Sequence, residues 1–389
     1  MVKDLVKEEI PLQSKLVGWF CTYTPLEVIV AAGFQPFRIF GSSERIAEAG
    51  VYLPPNLCPY VRACLGEAFL GRFDGIAGVV LVHSCNAMGQ LASAWRRYTN
   101  VPVIAEVHIP RDSDSKAMVY MLSQVRSLIR GLERAGGTVT VDSLLTAIRT
   151  SWAIRAGWND LLAKQRRVPA FYSGAGLSRL GRSLQRAGPD QAKALLDLPR
   201  QTEYSDTTTR TGNNPRFILT GSVVSPGLLD LLDSVGADVV YDETCSCGRA
   251  LFSVCKDVKH GVEGALLESA FPRIDPNCEG ASELDTLIEY LASWYLNRIP
   301  CARMKPAGQR IRYLVSLAKE YSAQGVISSV VKFCDPYLYE QPLLRQALLK
   351  EGIPYLLIEH EYEVVPEGRL LTRLEAFIEK TWRPGRSAI

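Results

Sequence analysis

Ten cysteines in a chain of 389 residues carry most of its chemical potential. Four of them sit in turn signatures: Leu57-Cys58-Pro59, Ser84-Cys85-Asn86, Pro300-Cys301-Ala302 and Cys334-Asp335-Pro336. Cysteine binds metal as the thiolate, and turns at strand ends are places where thiolates from distant segments can converge. Pro59 suits the first turn of a helix, which places Cys58 at a helix N-terminus, where the dipole favours a thiolate. Cys64 falls inside that predicted helix. Iron–sulfur clusters take thiolates from loops, whereas zinc sites prefer paired spacings. C-x2-C is absent, and Cys245-x-Cys247 is the nearest approach to it. Spacing therefore leaves three readings open: an iron–sulfur cluster, a zinc site, and plain buried thiols, the last being the ordinary fate of a free cysteine.

The segments around these cysteines repeat. After Gly325, the apolar run Val326–Val331 is short enough for one buried strand, and Cys334 follows at its carboxyl end. Leu343, Leu344, Ala347 and Leu348 then mark a helix, Gly352 and Pro354 close it, and Tyr355–Ile358 reads as a second strand. Residues 75–107 show the same order. Gly75 lies ten residues before Cys85, as Gly325 lies nine before Cys334, and Pro102 and Pro354 follow their cysteines by seventeen and twenty. Residues 19–40 and 219–241 match more loosely, each a strand, a turn with Pro25 or Pro226, an apolar helix and a strand. Internal repetition of β-α-β units predicts an α/β fold. The expectation is two similar Rossmann-like or flavodoxin-like parallel-sheet domains facing a cleft, with an additional helical segment at 114–166. The expected divisions are an N-terminal arm at 1–15, a first α/β domain with its helical extension at 16–166, an irregular linker region at 167–215, and a second α/β domain at 216–389.

Composition narrows the function. A net charge of +3 is close to neutral for this length and argues against a nucleic-acid surface. No apolar run approaches the ~18–20 residues of a membrane span. The first fifteen residues lack the apolar segment of a signal peptide, so the expected location is the cytoplasm, where disulfides are rare. No Walker-type loop appears, so the chain is not expected to hydrolyse ATP itself. Gly174-Ala175-Gly176 is half a dinucleotide fingerprint without a preceding strand and is not expected to bind phosphate.

The segments FCTYTPLE (20–27), NLCPYVR (56–62), HSCNAM (83–88), KFCDPYLYEQPLLRQAL (332–348), GIPYLLIE (352–359) and TRLEAFIE (372–379) resemble the 2-hydroxyacyl-CoA dehydratase and benzoyl-CoA reductase subunit family, in order and over nearly the whole chain. The resemblance implies a [4Fe-4S] cluster held by three cysteines, here Cys58, Cys85 and Cys334, with one iron open to substrate or water. It implies single electrons arriving from an ATP-hydrolysing iron–sulfur activator protein, an acyl-CoA thioester substrate, and assembly with a homologous partner subunit or as a homodimer. Two features depart from it or point elsewhere. Asn86 follows Cys85 where the family commonly has aspartate. Cys245 and Cys301 resemble positions of the related double-cubane cluster proteins, which implies a second-cluster role and an [8Fe-9S] alternative. Ser222 stands where some members of that branch would have cysteine. The alternative functions are a homodimeric double-cubane reductase of small molecules and a non-catalytic electron-transfer partner subunit.

Three further side chains are candidates for proton chemistry near a cluster: His83, His360 and Glu359. Each also has a plain reading, as a hydrogen-bonded histidine or a carboxylate at a strand end. Asp335 and Lys332 flank Cys334, either tuning it or facing solvent.

Overall fold

The apolar runs after Gly75 and Gly325 become the central strands of two separate parallel sheets. The computed structural model describes residues 15–201, 214–251, 282–362 and 367–382. In the first sheet the strands are β1 (Leu16–Trp19), β2 (Gln35–Arg38), β3 (Gly78–His83) and β4 (Val103–His108), ordered β2-β1-β3-β4. In the second they are β5 (Arg216–Gly221), β6 (Asp238–Asp242), β7 (Gly325–Val331) and β8 (Tyr355–His360), ordered β6-β5-β7-β8. Every pairing is parallel. The two halves thus share one topology, as the repeated segments predicted. In this order the connections leave β1 and β3, or β5 and β7, in opposite directions, which opens a crevice at the strands' carboxyl ends.

A parallel sheet must be covered on both faces, so its central strand reads as an unbroken apolar run. Val80 and Val82 of β3 pack with the helices Ser115–Arg134 and Val141–Lys164. Val79 and Leu81, on the other face, pack with the helices Pro59–Phe69 and Asn86–Tyr98. In β7 the seven residues Gly325–Val331 are all buried. Ile327 meets the helices Pro226–Ser234 and Glu367–Thr381, and Val326 faces the layer that holds Leu344 and Leu348 of Asp335–Lys350.

The helical segments interlock the halves. Leu287, Leu291 and Tyr295 of Glu283–Asn297 belong to the core of the first half, although they follow strands β5 and β6 of the second in sequence. Trp158, Leu161 and Leu162 of Val141–Lys164 pack in the core beneath β5 and β7. Residues 167–201, expected to be irregular, contain two helices, Gly174–Leu184 and Pro189–Gln201. Glycine disfavours the first of these intrinsically, but tertiary contacts override that preference. The Ser173 hydroxyl accepts from Gly176 N–H at 2.9 Å, and the Asp233 carboxylate takes the Gly174 and Ala175 N–H groups at 3.1 and 3.0 Å. Those N–H groups are thereby used by the protein's own carboxylate. The predicted arm up to residue 14, the polar stretch 205–213, Cys255 and Cys278 lie outside the described residues.

Glu27 locks this interlocked region. It is 1% exposed, pairs with Arg155 at 2.8 Å and accepts from Ser151 and Tyr295, both at 2.8 Å. Burial alone would raise its carboxyl, but Arg155 and these hydrogen bonds outweigh it and hold the group below its ordinary value. Glu27→Gln leaves the Arg155 charge buried without its partner, an expected loss of about 3–5 kcal/mol in urea unfolding. A depressed carboxyl stabilises the fold above its unfolded pKa of about 4.3, so the gap between parent and variant narrows as the pH falls below that value.

Candidate metal centre

Cys58, Cys85 and Cys334 each occupy the N-cap position of a helix: Pro59–Phe69, Asn86–Tyr98 and Asp335–Lys350 respectively. The first-turn N–H groups of a helix have no intrahelical acceptor and favour an anion there. The local sequence explains each cap. Pro59 and Pro336 fit a first helical turn, and extended backbone at Cys85 (φ −153°) leads into its helix. Phe333, in the left-handed region at φ 61°, swings the chain off β7 so that Cys334 caps the helix.

The electrostatics link these three thiols across both halves. Burial pushes Cys58 up to about 12, with the Cys85 charge adding to it. Burial also raises Cys85. Cys334 is driven well above its ordinary value by burial and then by Cys58, Cys85 and Cys245. Mutual effects of this kind place the three caps in one partly buried neighbourhood. Cys21 belongs to the same neighbourhood through its effect on Cys85. Cys64 differs: it is wholly buried inside the Pro59–Phe69 helix, its sulfur 4.0 Å from the Ile39 carbonyl. Cys247 is likewise fully buried, 3.9 Å from the Leu177 carbonyl.

Cys245 and Cys301 form a second, adjoining pair. A hydrogen bond from Cys301 and the nearby guanidinium of Arg249 pull the Cys245 thiol down, while Cys301 is raised by the same contact. Arg249 Nη1 lies 3.1 Å from Cys245 Sγ, and the Tyr337 hydroxyl lies 3.5 Å from it and 3.9 Å from Cys301 Sγ. Tyr337 is in the first turn of the helix that Cys334 caps, so the pair adjoins the triad. Ser222 ties the two together. Its hydroxyl accepts from Val331 N–H at 2.9 Å, its carbonyl accepts from Cys245 N–H at 3.1 Å, and its side chain hydrogen-bonds Cys334. Gly221 permits this approach: at φ 132°, an added Cβ would lie 1.8 Å from the Ser329 carbonyl oxygen.

Around these sulfurs the charge is lopsided. Glu243 pairs with Arg249 at 2.6 Å and Arg310 at 3.0 Å, and Arg310 also contacts Glu340. Arg38, 1% exposed, has no carboxylate partner among the described residues and acts on Cys245, whereas Arg298, 4% exposed, lies by Tyr295, Arg155, Tyr23 and Glu27. Arg38 donates to the carbonyls of Cys245 (2.5 Å) and Phe20 (3.2 Å), and Arg298 to those of Thr22 (3.0 Å) and Arg249. A buried cation without a counter-anion costs several kcal/mol, so a group of net negative charge beside Arg38 would offset that cost. A thiolate-ligated iron–sulfur cluster is such a group.

The candidates for proton chemistry stand apart. His360 is buried and neutral-favouring, its ring nitrogens 2.7 Å from Ser329 Oγ and 2.7 Å from the Glu361 carbonyl. Glu359 is exposed, because β8 is an edge strand rather than the buried strand that its apolar sequence suggested. His83 is committed to Glu106 at 2.6 Å. Lys332 pairs with Glu361 at 2.9 Å. Sequence reasoning missed Arg38, Arg298, Arg249, Arg310 and Glu243. Arg249, four residues after Cys245, had a local signal in that spacing; the others had none.

The sequence profile of the 2-hydroxyglutaryl-CoA dehydratase, D-component family matches residues 21–381. The chain is 24% identical over 384 residues to the (R)-phenyllactyl-CoA dehydratase beta subunit of Clostridium sporogenes, covering 97% of this chain and 94% of that protein. It is 22% identical over 370 residues to the lactoyl-CoA dehydratase subunit beta of Anaerotignum propionicum, covering 93% and 91%. It is 22% identical over 353 residues to a subunit of the benzoyl-CoA reductase of Thauera aromatica, covering 88% and 84%. Among the described residues no helix is long and apolar enough to cross a membrane. With two parallel sheets of one topology and a profile match over nearly its whole length, the chain belongs to the 2-hydroxyglutaryl-CoA dehydratase, D-component family.

Proposed function

We propose that the chain is the iron–sulfur subunit of an enzyme of the 2-hydroxyacyl-CoA dehydratase or benzoyl-CoA reductase type. In this reading Cys58, Cys85 and Cys334 hold a [4Fe-4S] cluster, which supplies low-potential single-electron chemistry to an acyl-CoA thioester. The observation that carries it is three cysteines capping three helices from both halves, beside the buried Arg38, which acts on Cys245 and lacks a carboxylate partner among the described residues. The chain's own residues do the rest. The helix N-termini orient the sulfurs, Arg38 and Arg249 offset negative charge at Cys245, and Ser222 holds the Cys334 turn against β5 and β7. The electrons arrive from an ATP-hydrolysing activator, and the active assembly contains a homologous partner subunit.

A second reading is a double-cubane reductase. It is favoured by the Cys245–Cys301 pair, whose sulfurs flank the Tyr337 hydroxyl three residues beyond Cys334. The test is an anaerobic assay of the chain with a partner subunit, an ATP-dependent activator and a panel of 2-hydroxyacyl and aromatic acyl-CoA thioesters. Turnover that needs ATP, the activator and this chain is the expected result. Cluster-loaded protein that accepts no electron from any activator tested, in either homodimeric or mixed assemblies, would overturn it.

A further inference from the structure

We infer that His83, Glu106 and His108 form a binding site for a divalent transition-metal ion of the zinc class, separate from the cysteines. The ligand atoms of these three residues all lie within 4.8 Å of one another. Their placement follows from the sheet. Side chains two apart on a strand share a face, which puts Glu106 and His108 of β4 on one side. His83 is the register partner of His108 on β3 and joins them there. The two imidazoles are stacked, 14° apart in plane with centroids 4.0 Å apart, so one ring must turn for both to face a single ion. Their backbones are fixed by the β3–β4 ladder, and His108 N–H is held by Gln124 Oε1 at 2.9 Å.

The carboxylate is also pre-set. Arg96 Nη1 takes Glu106 Oε1 at 3.0 Å, while Oε2 meets His83 Nε2 at 2.6 Å. One oxygen is oriented from outside, as partners of metal-ligating carboxylates commonly do. The other shares a proton with the imidazole in the place where a cation would sit. Neither ring nitrogen of His108 has a protein hydrogen-bond partner among the described residues, so that imidazole is available to coordinate. Ligands at bonds of about 2.0–2.1 Å in a tetrahedron lie roughly 3.3 Å apart, a spacing within reach of small side-chain rotations here. Two imidazoles, one carboxylate and a water make a donor set for zinc, cobalt or nickel rather than for calcium or magnesium. Bound there, the ion would clip edge strand β4 to β3 at the end that leads into Cys85.

The chain has four histidines, which makes the test direct. The full chain labelled with 15N-histidine is titrated with zinc chloride to an excess over all its thiols, and long-range 1H–15N spectra follow each imidazole. Because His83 lies two residues from Cys85, the His108 signal and the His108→Ala variant are what separate this site from zinc uptake by the thiols. His83 and His108 should shift together and saturate together. In exposed His108→Ala the His83 shift should be lost at zinc concentrations that saturate the parent. Two unmoved signals in the parent, or a His83 shift unchanged in His108→Ala, would overturn the site. Neither result bears on whether the cysteines hold a cluster.

Discussion

Cys334→Ser, prepared without oxygen, is expected to lose its cluster and its activity together, while Cys64→Ala retains both. The parent should be brown and hold about four iron and four sulfide per chain, the content of one cubane. Cys334 caps the Asp335–Lys350 helix beside Cys58, Cys85 and Cys245, and a serine hydroxyl is a far weaker ligand for iron than a thiolate. Cys64 shares a helix with Cys58 but is wholly buried against the core that contains Leu81 and Trp95. Its truncation to alanine therefore costs packing rather than iron. Iron and sulfide content of the two variants decides the assignment. Retention of the cluster by Cys334→Ser with loss from Cys64→Ala would refute the ligand set. About eight iron in the parent, falling towards half in Cys245→Ser, would move the case to the double cubane.

Glu243→Gln is expected to cause the largest loss of stability of any single carboxylate change. Glu243 is 2% exposed and lies between Arg249 and Arg310, with the Thr220 hydroxyl donating to it at 2.5 Å. Burial would raise its carboxyl, but the two guanidiniums outweigh that and hold it below the ordinary value. Removing the charge leaves Arg249 without its carboxylate and Arg310 with Glu340 alone, in a region where the buried Arg38 already lacks a carboxylate partner among the described residues. Removing one partner of a buried pair costs about 3–5 kcal/mol, and here a single carboxylate serves two partners. A loss of that size is a large share of a typical folding free energy of about 5–15 kcal/mol. The difference is read from urea unfolding at neutral pH. Because the folded carboxyl is depressed, its stabilisation is present above about pH 4.3 and lost as the pH falls through the folded value. A variant as stable as the parent at pH 7 would show that the network contributes little. Arg249 also holds the Cys245 sulfur, so the variant should alter that thiol's alkylation rate even where it remains folded.

Much of the fold was legible in the sequence, for local reasons. The runs 79–82 and 326–331 read as central strands because a strand covered on both faces is largely apolar, although Ser328 and Ser329 are buried within the second. Pro59 and the Cys334-Asp335-Pro336 turn marked helix starts, because proline tolerates a first helical turn and little else in a helix. These two facts put Cys58 and Cys334 at helix caps from local sequence alone, and the repeat put Cys85 beside them. Other features depended on contacts between residues far apart in the chain. Glu359 sits on an edge strand and is exposed, because strand order is set by which crossover packs against which face, and Tyr355–His360 carries no mark of that choice. Residues 174–184 form a helix because Asp233, some fifty residues away in sequence, takes the N–H groups of Gly174 and Ala175. The Glu283–Asn297 helix packs with the first half's core, a partnership its own apolar stripe cannot specify. The sequence by itself determined the strands and the helix starts, since these rest on side-chain period and turn chemistry within a few residues, while the choice of Cys58, Cys85 and Cys334 as sulfur donors is what the family resemblance implied. Only the tertiary structure decided where the charges lie around those donors. Arg38, Glu243, Arg249, Arg298 and Arg310 come from separate segments of the chain, and a buried charge acquires its meaning from the neighbours that folding brings to it.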